Sequence, residues 1–130
     1  MQQGADIGAV FERLSRAAKL IEGVARFAHN DHLGYITSCP TNLGTALRGS
    51  VHIHLPNLMT DWTRFEAIAT EYNVQIRGSR GEHSDTSDGI FDISNRRRLG
   101  RSEKDLVQDM YLGVKKMMDA ELEMKAAKAE

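Results

Sequence analysis

The sequence predicts an α+β fold in which an antiparallel β-sheet is flanked by helices on one face. Two observations carry that prediction. Apolar residues recur at helical spacing near both ends of the chain and once in the middle. Between them, four short runs of strand-like composition come in consecutive pairs joined by loops or a single helix, giving the order α-β-β-α-β-β-α. Paired strands with segregated helices make a layered α+β arrangement.

Each element has its own warrant. Ile7, Val10, Phe11, Leu14, Ala17, Ala18, Ile21 and Val24 repeat with helical period, and Asp6 is placed to cap that helix. Asn30, Asp31 and Gly34 mark a turn, after which Tyr35 to Ser38 reads as a strand. A Cys-Pro-Thr-Asn-Leu-Gly-Thr loop follows from Cys39, and Leu47 to Leu55 reads as a second strand ending at Pro56. Thr60-Asp61 caps a helix whose buried face is Trp62, Phe65, Ile68 and Ala69. Val74 to Arg77 is a third strand, and Gly89 to Ser94 a fourth. Between them, Gly78 to Asp88 is rich in Gly, Ser, Asp and Thr, a loop of functional length. From Ser102, where Ser102-Glu103-Lys104-Asp105 makes a capping start, a long helix puts Leu106, Met110, Val114 and Met117 on one side. Its methionines read as core and helix filler rather than as a binding surface.

Composition bounds the function. At 130 residues the chain fits one domain able to bury roughly two-thirds of its unfolded surface. It is 41% hydrophobic with a net charge of -1, which argues against whole-chain attraction to nucleic acid or an anionic membrane. The arginines are nevertheless crowded, with Arg77, Arg80, Arg96, Arg97, Arg98 and Arg101 in one short region. The triplet Arg96-Arg97-Arg98 lacks the aromatic platform expected of a nucleic-acid site. A single cysteine fits a reducing compartment, and neither a signal peptide nor an apolar run of the ~20 residues that span a bilayer is seen. The expectation is a cytoplasmic protein.

The chemistry-bearing residues cluster around loops. Cys39 stands between two strands in a loop of proline, hydroxyls and glycine, which suits a site lining better than a core. Arg48 and Arg77 bracket glycine-containing loops, and arginine's planar fork suits phosphate. Glycines in Arg77-Gly78-Ser79-Arg80-Gly81-Glu82-His83 let backbone N–H groups approach an anion. His52, His54 and His83 match no common metal-ligand spacing, and no protein metal site is expected.

Together these motifs resemble the phosphagen kinases, the ATP:guanidino phosphotransferases, and within them the arginine kinase branch. The residues that carry the resemblance are Cys39 to Thr45, Arg77 to His83 and Ser94 to Gly100, and it runs from Met1 to about Met118. It implies a partial glutamine-synthetase-like catalytic domain, with residues 1–130 as the C-terminal portion of that domain. It implies catalytic roles for Cys39 and Glu82: a thiolate beside the cationic substrate and a carboxylate orienting the guanidinium, with Thr41 also at the substrate. It implies nucleotide binding by Arg48, His52, Arg77, Gly78, Ser79, Arg80, Gly81 and Asp92. ATP or ADP would bind with Mg²⁺ held through the nucleotide. His54 reads simply as an outward-facing polar residue, and the stretch from Ser94 to Gly100 as a support for the loops. Bacterial protein-arginine kinases share the Cys-Pro-Thr-Asn loop but differ at Gly81-Glu82-His83-Ser84 and at Asp92.

The resemblance also implies that the family's helical N-terminal domain and the first half of its catalytic domain are not in this chain. Several phosphate-binding arginines and a second substrate glutamate would go with them. A half-site of this kind is expected to be weak or inactive alone, or to act as a non-catalytic nucleotide-binding or oligomerisation module. An uncovered sheet edge and apolar face would favour a homo-oligomer, through that edge or by exchange of the first helix.

Overall fold

The computed structural model describes residues 1–78 and 88–129. Helix α1 (Ile7–Glu22) starts where Asp6 Oδ1 accepts the Ala9 N–H at 3.0 Å. A two-residue hairpin follows, β1 (His29–Asn30) with β2 (Gly34–Tyr35). Asn30 Oδ1 closes its turn by accepting the N–H groups of His32 and Leu33 at 2.8 and 3.0 Å. After a short 3₁₀ turn (Pro40–Asn42) come β3 (Ser50–His54), a second 3₁₀ turn (Leu58–Thr60) and α2 (Trp62–Glu71). Strands β4 (Val74–Gly78) and β5 (Ile90–Asn95) precede the 27-residue α3 (Glu103–Ala129). Asp61 and Ser102 cap the two later helices through the N–H groups of Arg64 and Asp105.

The main sheet has the order β3-β5-β4, antiparallel throughout. Residues opposite one another in such a sheet point to the same face, so its register sorts the side chains into two sets. Val51, Ile93 and Ile76 form one row, and Ile53, Phe91 and Gly78 the next. These lie against α2 and α3, where Phe65, Val74, Met110 and Met117 complete the core. Phe65 and Phe91 meet edge to face, with ring centroids 5.0 Å apart. The other face carries His52, Asp92 and Arg77 in one row and Ser50, Ser94 and Gln75 in the next. One side of the sheet therefore builds the core and the other presents polar groups.

Four expectations need correction. The run Tyr35 to Ser38 is not a strand of the main sheet. Pairing stops at Tyr35, and the chain turns into Pro40, which has no N–H to offer a ladder. The strand expected from Leu47 begins only at Ser50, because Ala46 takes a left-handed φ of 54° that turns the chain. Trp62 is half exposed at the first position of α2, its ring edge-on to Phe65 at the rim of the core. And α1 is no member of the helical layer: it meets the core at Ile7 and has no fully buried residue. Between α1 and the hairpin lies a cleft of about 580 Å³ lined by Phe11, Leu14, Ala18, Phe27, Ile36 and Leu47 among others. Among the described residues, no helix is long and apolar enough to cross a membrane.

Candidate active site

The polar face of the main sheet gathers residues from three strands and their connections. Asp92, at the middle of β5, sits opposite His52 on β3 and opposite Arg77 on β4. Arg48, two residues before β3, reaches back so that its Nη2 donates to Asp92 Oδ2 at 2.6 Å. His52 Nε2 lies 3.8 Å from the other carboxylate oxygen. Arg77 Nη2 donates to Gln75 Oε1 at 3.4 Å on the same strand. The structure thus brings together Arg48, His52, Arg77 and Asp92, with Gly78 closing β4 opposite Phe91.

A third cation, Arg98, belongs to this group. It is only 8% exposed, and its Nη1 donates to the carbonyls of Asn95 and Arg96 at 3.3 and 3.0 Å. Burial lowers the pKa of its guanidinium first, and the positive charges of Arg48 and Arg77 lower it further. Among the described residues its Nε and Asp92 Oδ1 are buried without a hydrogen-bond partner. Arg48 is paired with that carboxylate, and Arg77 and Arg98 add positive charge nearby, a setting in which guanidinium groups can make charge-assisted bonds to an anion.

Cys39 sits apart from that row, at the head of the 3₁₀ turn, and is exposed. Its Sγ is 2.9 Å from Thr41 Oγ1, and its carbonyl accepts the Thr37 hydroxyl at 2.7 Å. The Thr41 hydroxyl, and after it the Thr41 backbone N–H, hold the thiol below the ordinary cysteine pKa. The far end of the loop is tied down by backbone. Tyr35 N–H donates to Gly44 O at 2.7 Å, and Thr45 N–H donates to Arg98 O at 2.9 Å. Gly44 has a φ of 111°, and a Cβ there would fall 2.5 Å from Arg98 O, so only glycine permits this approach. Segment 98–99 therefore meets the cysteine loop through its backbone and carries the Arg98 side chain, which feels the charges of Arg48 and Arg77.

Of the residues expected from sequence, Ser79, Arg80, Gly81 and Glu82 lie outside the described residues, as does His83. Two were not singled out from the sequence, Asn95 and Arg98. Arg98 was hidden in a run of three arginines whose neighbours Arg96 and Arg97 are exposed. For Asn95 a signal existed: strand alternation puts it on the apolar face with Phe91 and Ile93.

Comparison with known proteins fits this geometry. Residues 1–124 match the model of the ATP:guanido phosphotransferase C-terminal catalytic domain. The chain belongs to that family. It is 50% identical over 121 residues to an arginine kinase of Artemia franciscana, covering 93% of this chain and 34% of that protein. An arginine kinase of Drosophila melanogaster is 46% identical over the same length, with the same coverage. Among solved structures, the duplicated taurocyamine kinase of Schistosoma mansoni with bound transition-state-analogue components superposes with a TM-score of 0.87 at 43% identity. That match covers 92% of this chain and 17% of that one. A lombricine kinase also gives 0.87, at 40% identity over 97% of this chain and 36% of its own. The chain spans about a third of the length of the curated relatives it matches. The arginine row and the cysteine loop both lie within the stretch that matches that domain model.

Proposed function

We propose that the chain carries the phosphate-facing and one substrate-facing side of a phosphagen kinase of the arginine kinase type. The observation that carries this reading is that Arg48 and Arg77 meet Asp92 on the polar face of the sheet, with Arg98 near enough to feel both positive charges. In the proposed reaction a guanidino nitrogen attacks the γ-phosphorus of MgATP. An N–P bond forms, the bond from that phosphorus to the β–γ bridging oxygen breaks, and ADP leaves with the electron pair. The nitrogen's proton passes to a base, a task assigned here to Glu82. Arg48 and Arg77, with Gly78, Ser79, Arg80 and Gly81, hold the phosphates, and His52 and Asp92 flank the nucleotide. Cys39, as a thiolate supported by Thr41, sets negative charge beside the guanidinium and orients it. It is not a nucleophile, because the phosphoryl group moves in one direct step. Mg²⁺ arrives with the nucleotide, held by phosphate oxygens and water.

Taken by itself, this chain supplies part of such a site. Each transition-state contact it lacks would cost roughly 2.7–4 kcal/mol, so turnover alone is expected to be very slow or nil. The half-exposed stripe of α1 and the outer edges of β3 and β4 support self-association in a reducing cytoplasm. A clean monomer in sedimentation at about tens of micromolar would count against that association. Phosphorus NMR of the chain with MgATP and L-arginine tests the catalytic reading. A phosphoarginine line that vanishes in Cys39→Ala supports it. Nucleotide resonances that shift without product would leave a nucleotide-binding module, and no change in any line would reject both.

A further inference from the structure

We propose that Asn95 is a positioning residue that sets Arg48 in place by clamping the backbone on both sides of it. The inference rests on the reading of Arg48 as a phosphate-binding group. Asn95 is the last residue of β5 and points to the helix-covered face, paired across the sheet with Val74. It is 2% exposed. An amide buried among apolar side chains is costly unless every polar atom finds a partner. Here each does. Oδ1 accepts the Gly49 N–H at 2.8 Å, and Nδ2 donates to the carbonyls of Leu47 and Arg97 at 3.0 and 2.7 Å. The backbone N–H of Asn95 adds a bond to Gly49 O at 3.3 Å.

Three of these four bonds go to residues 47 and 49, the immediate neighbours of Arg48, and none to Arg48 itself. The reason lies in the local chain path. Ala46 turns the chain with its left-handed φ, and the β3 ladder starts only at Ser50. Residues 47–49 lie outside the β3 ladder. Besides the single backbone bond from Asn95 to Gly49, it is the Asn95 side chain that ties them to β5, offering both an acceptor and donors as a backbone peptide would. The Asn95 carbonyl also accepts Arg98 Nη1 at 3.3 Å, so one residue anchors two of the three cations. Aspartate keeps the acceptor but loses both donors. Serine cannot span the distance.

The test uses the whole 130-residue chain. Asn95→Ser and Asn95→Asp are compared with Met117→Ala, a core truncation that lowers the melting temperature for purely structural reasons. MgADP affinity is measured by titration calorimetry. Pairing of the Arg48 guanidinium is followed without nucleotide by side-chain ¹⁵N NMR, assigned with Arg48→Lys. The expected result is a loss of MgADP affinity of about tenfold in the Asn95 variants, the share of a charge-assisted contact that a displaced guanidinium forfeits. Arg48 should also lose its slowed guanidinium rotation, while Met117→Ala changes neither. In an Arg48→Met background the affinity effect of Asn95→Asp should disappear. Folded Asn95 variants that leave the Arg48 signal and MgADP affinity as in the parent overturn the inference, and so does an undiminished effect in the Arg48→Met background. If the parent chain fails to bind MgADP, the nucleotide reading fails, and the Arg48 signal alone decides this inference. Should Asn95→Ser not fold, Asn95→Asp, which retains the Gly49 bond, carries the test.

Discussion

The two ends of this chain both read as helices with an apolar side, α1 the more strongly, and the structure treats them in the opposite order. α3 lays Met110, Val114, Met117 and Ala120 into a closed core with α2 and the main sheet. α1 has the clearer apolar stripe, yet Leu14 and Ile21 are 52% and 48% exposed, and its inner side borders a cleft. Periodicity therefore reports that a helix has a face to bury, not that this chain supplies the cover. Most of the stabilisation must come from the sheet half, since a buried Leu, Ile or Phe contributes about 1.5–3 kcal/mol and an exposed one little. A 16-residue helix with so little tertiary support is marginal.

The largest expected effect breaks the comparison on its buried side. Phe91 is fully buried at the centre of the sheet, against Phe65 and beside Trp62. Phe91→Ala should destabilise the chain by about 3–5 kcal/mol in denaturant unfolding. Leu14→Ser on α1 should stay within about 0.5 kcal/mol, as surface changes do. Equal losses would mean that α1 is buried in solution, and the loss would then depend on protein concentration if a second copy is the cover.

What the sequence revealed follows the same division between local and long-range information. Caps at Asp6, Asp61 and Ser102 were legible because each acts within three residues. The strands over 50–54, 74–78 and 90–95 were legible from their composition and their bounding turns. Alternation gave their faces, but only pairing could set Asp92 level with both His52 and Arg77. The role of Asn95 depends on partners 46 and 48 residues away, which no local pattern records. The absence of strand at Leu47 is of the same kind, since beyond the Ala46 turn that segment is tied to β5 mainly by the Asn95 side chain. Arg48, Arg77 and the cysteine loop stand out in the sequence because arginines and a thiol beside glycine-containing loops suggest chemistry from local composition alone.

A smaller effect joins the two ends of the well-packed half. Glu121 on α3 caps the turn before α2: its Oε2 accepts the Leu58 N–H at 2.7 Å, and Oε1 accepts Asn57 Nδ2 at 2.7 Å. Burial alone would raise its pKa, but the N–H groups of Leu58 and Asn57 and the Asn57 amide together outweigh it, so the net shift is downward. A depressed carboxylate stabilises the fold above its unfolded pKa, about 4.3, and that stabilisation fades as pH falls through the lower folded value. Glu121→Gln should cost on the order of 1 kcal/mol near neutral pH, given the partial solvent screening. The difference between parent and variant should narrow below about pH 4. A constant difference across that range would show that the charge of Glu121 is not what stabilises the turn.

The smallest expected effect on stability is at Cys39, where the consequence is chemical. The thiol is exposed, and its reactivity follows the thiolate fraction. Because Thr41 stabilises the thiolate through its hydroxyl and its backbone N–H, alkylation by iodoacetamide should reach half its limiting rate below the ordinary cysteine midpoint of about 8.5. Thr41→Val removes the larger of the two supports and keeps the smaller. Its midpoint should therefore rise toward the ordinary value without reaching it, while the melting temperature stays close to that of the parent. A midpoint indifferent to Thr41→Val would assign the acidity to another source, and the electrostatic role given to Cys39 would lose its structural basis. A midpoint that does rise sets the loop apart in kind from the Arg48–Asp92 pair: that pair joins residues distant in sequence, whereas the loop sets its own charge within three residues, Cys39 to Thr41.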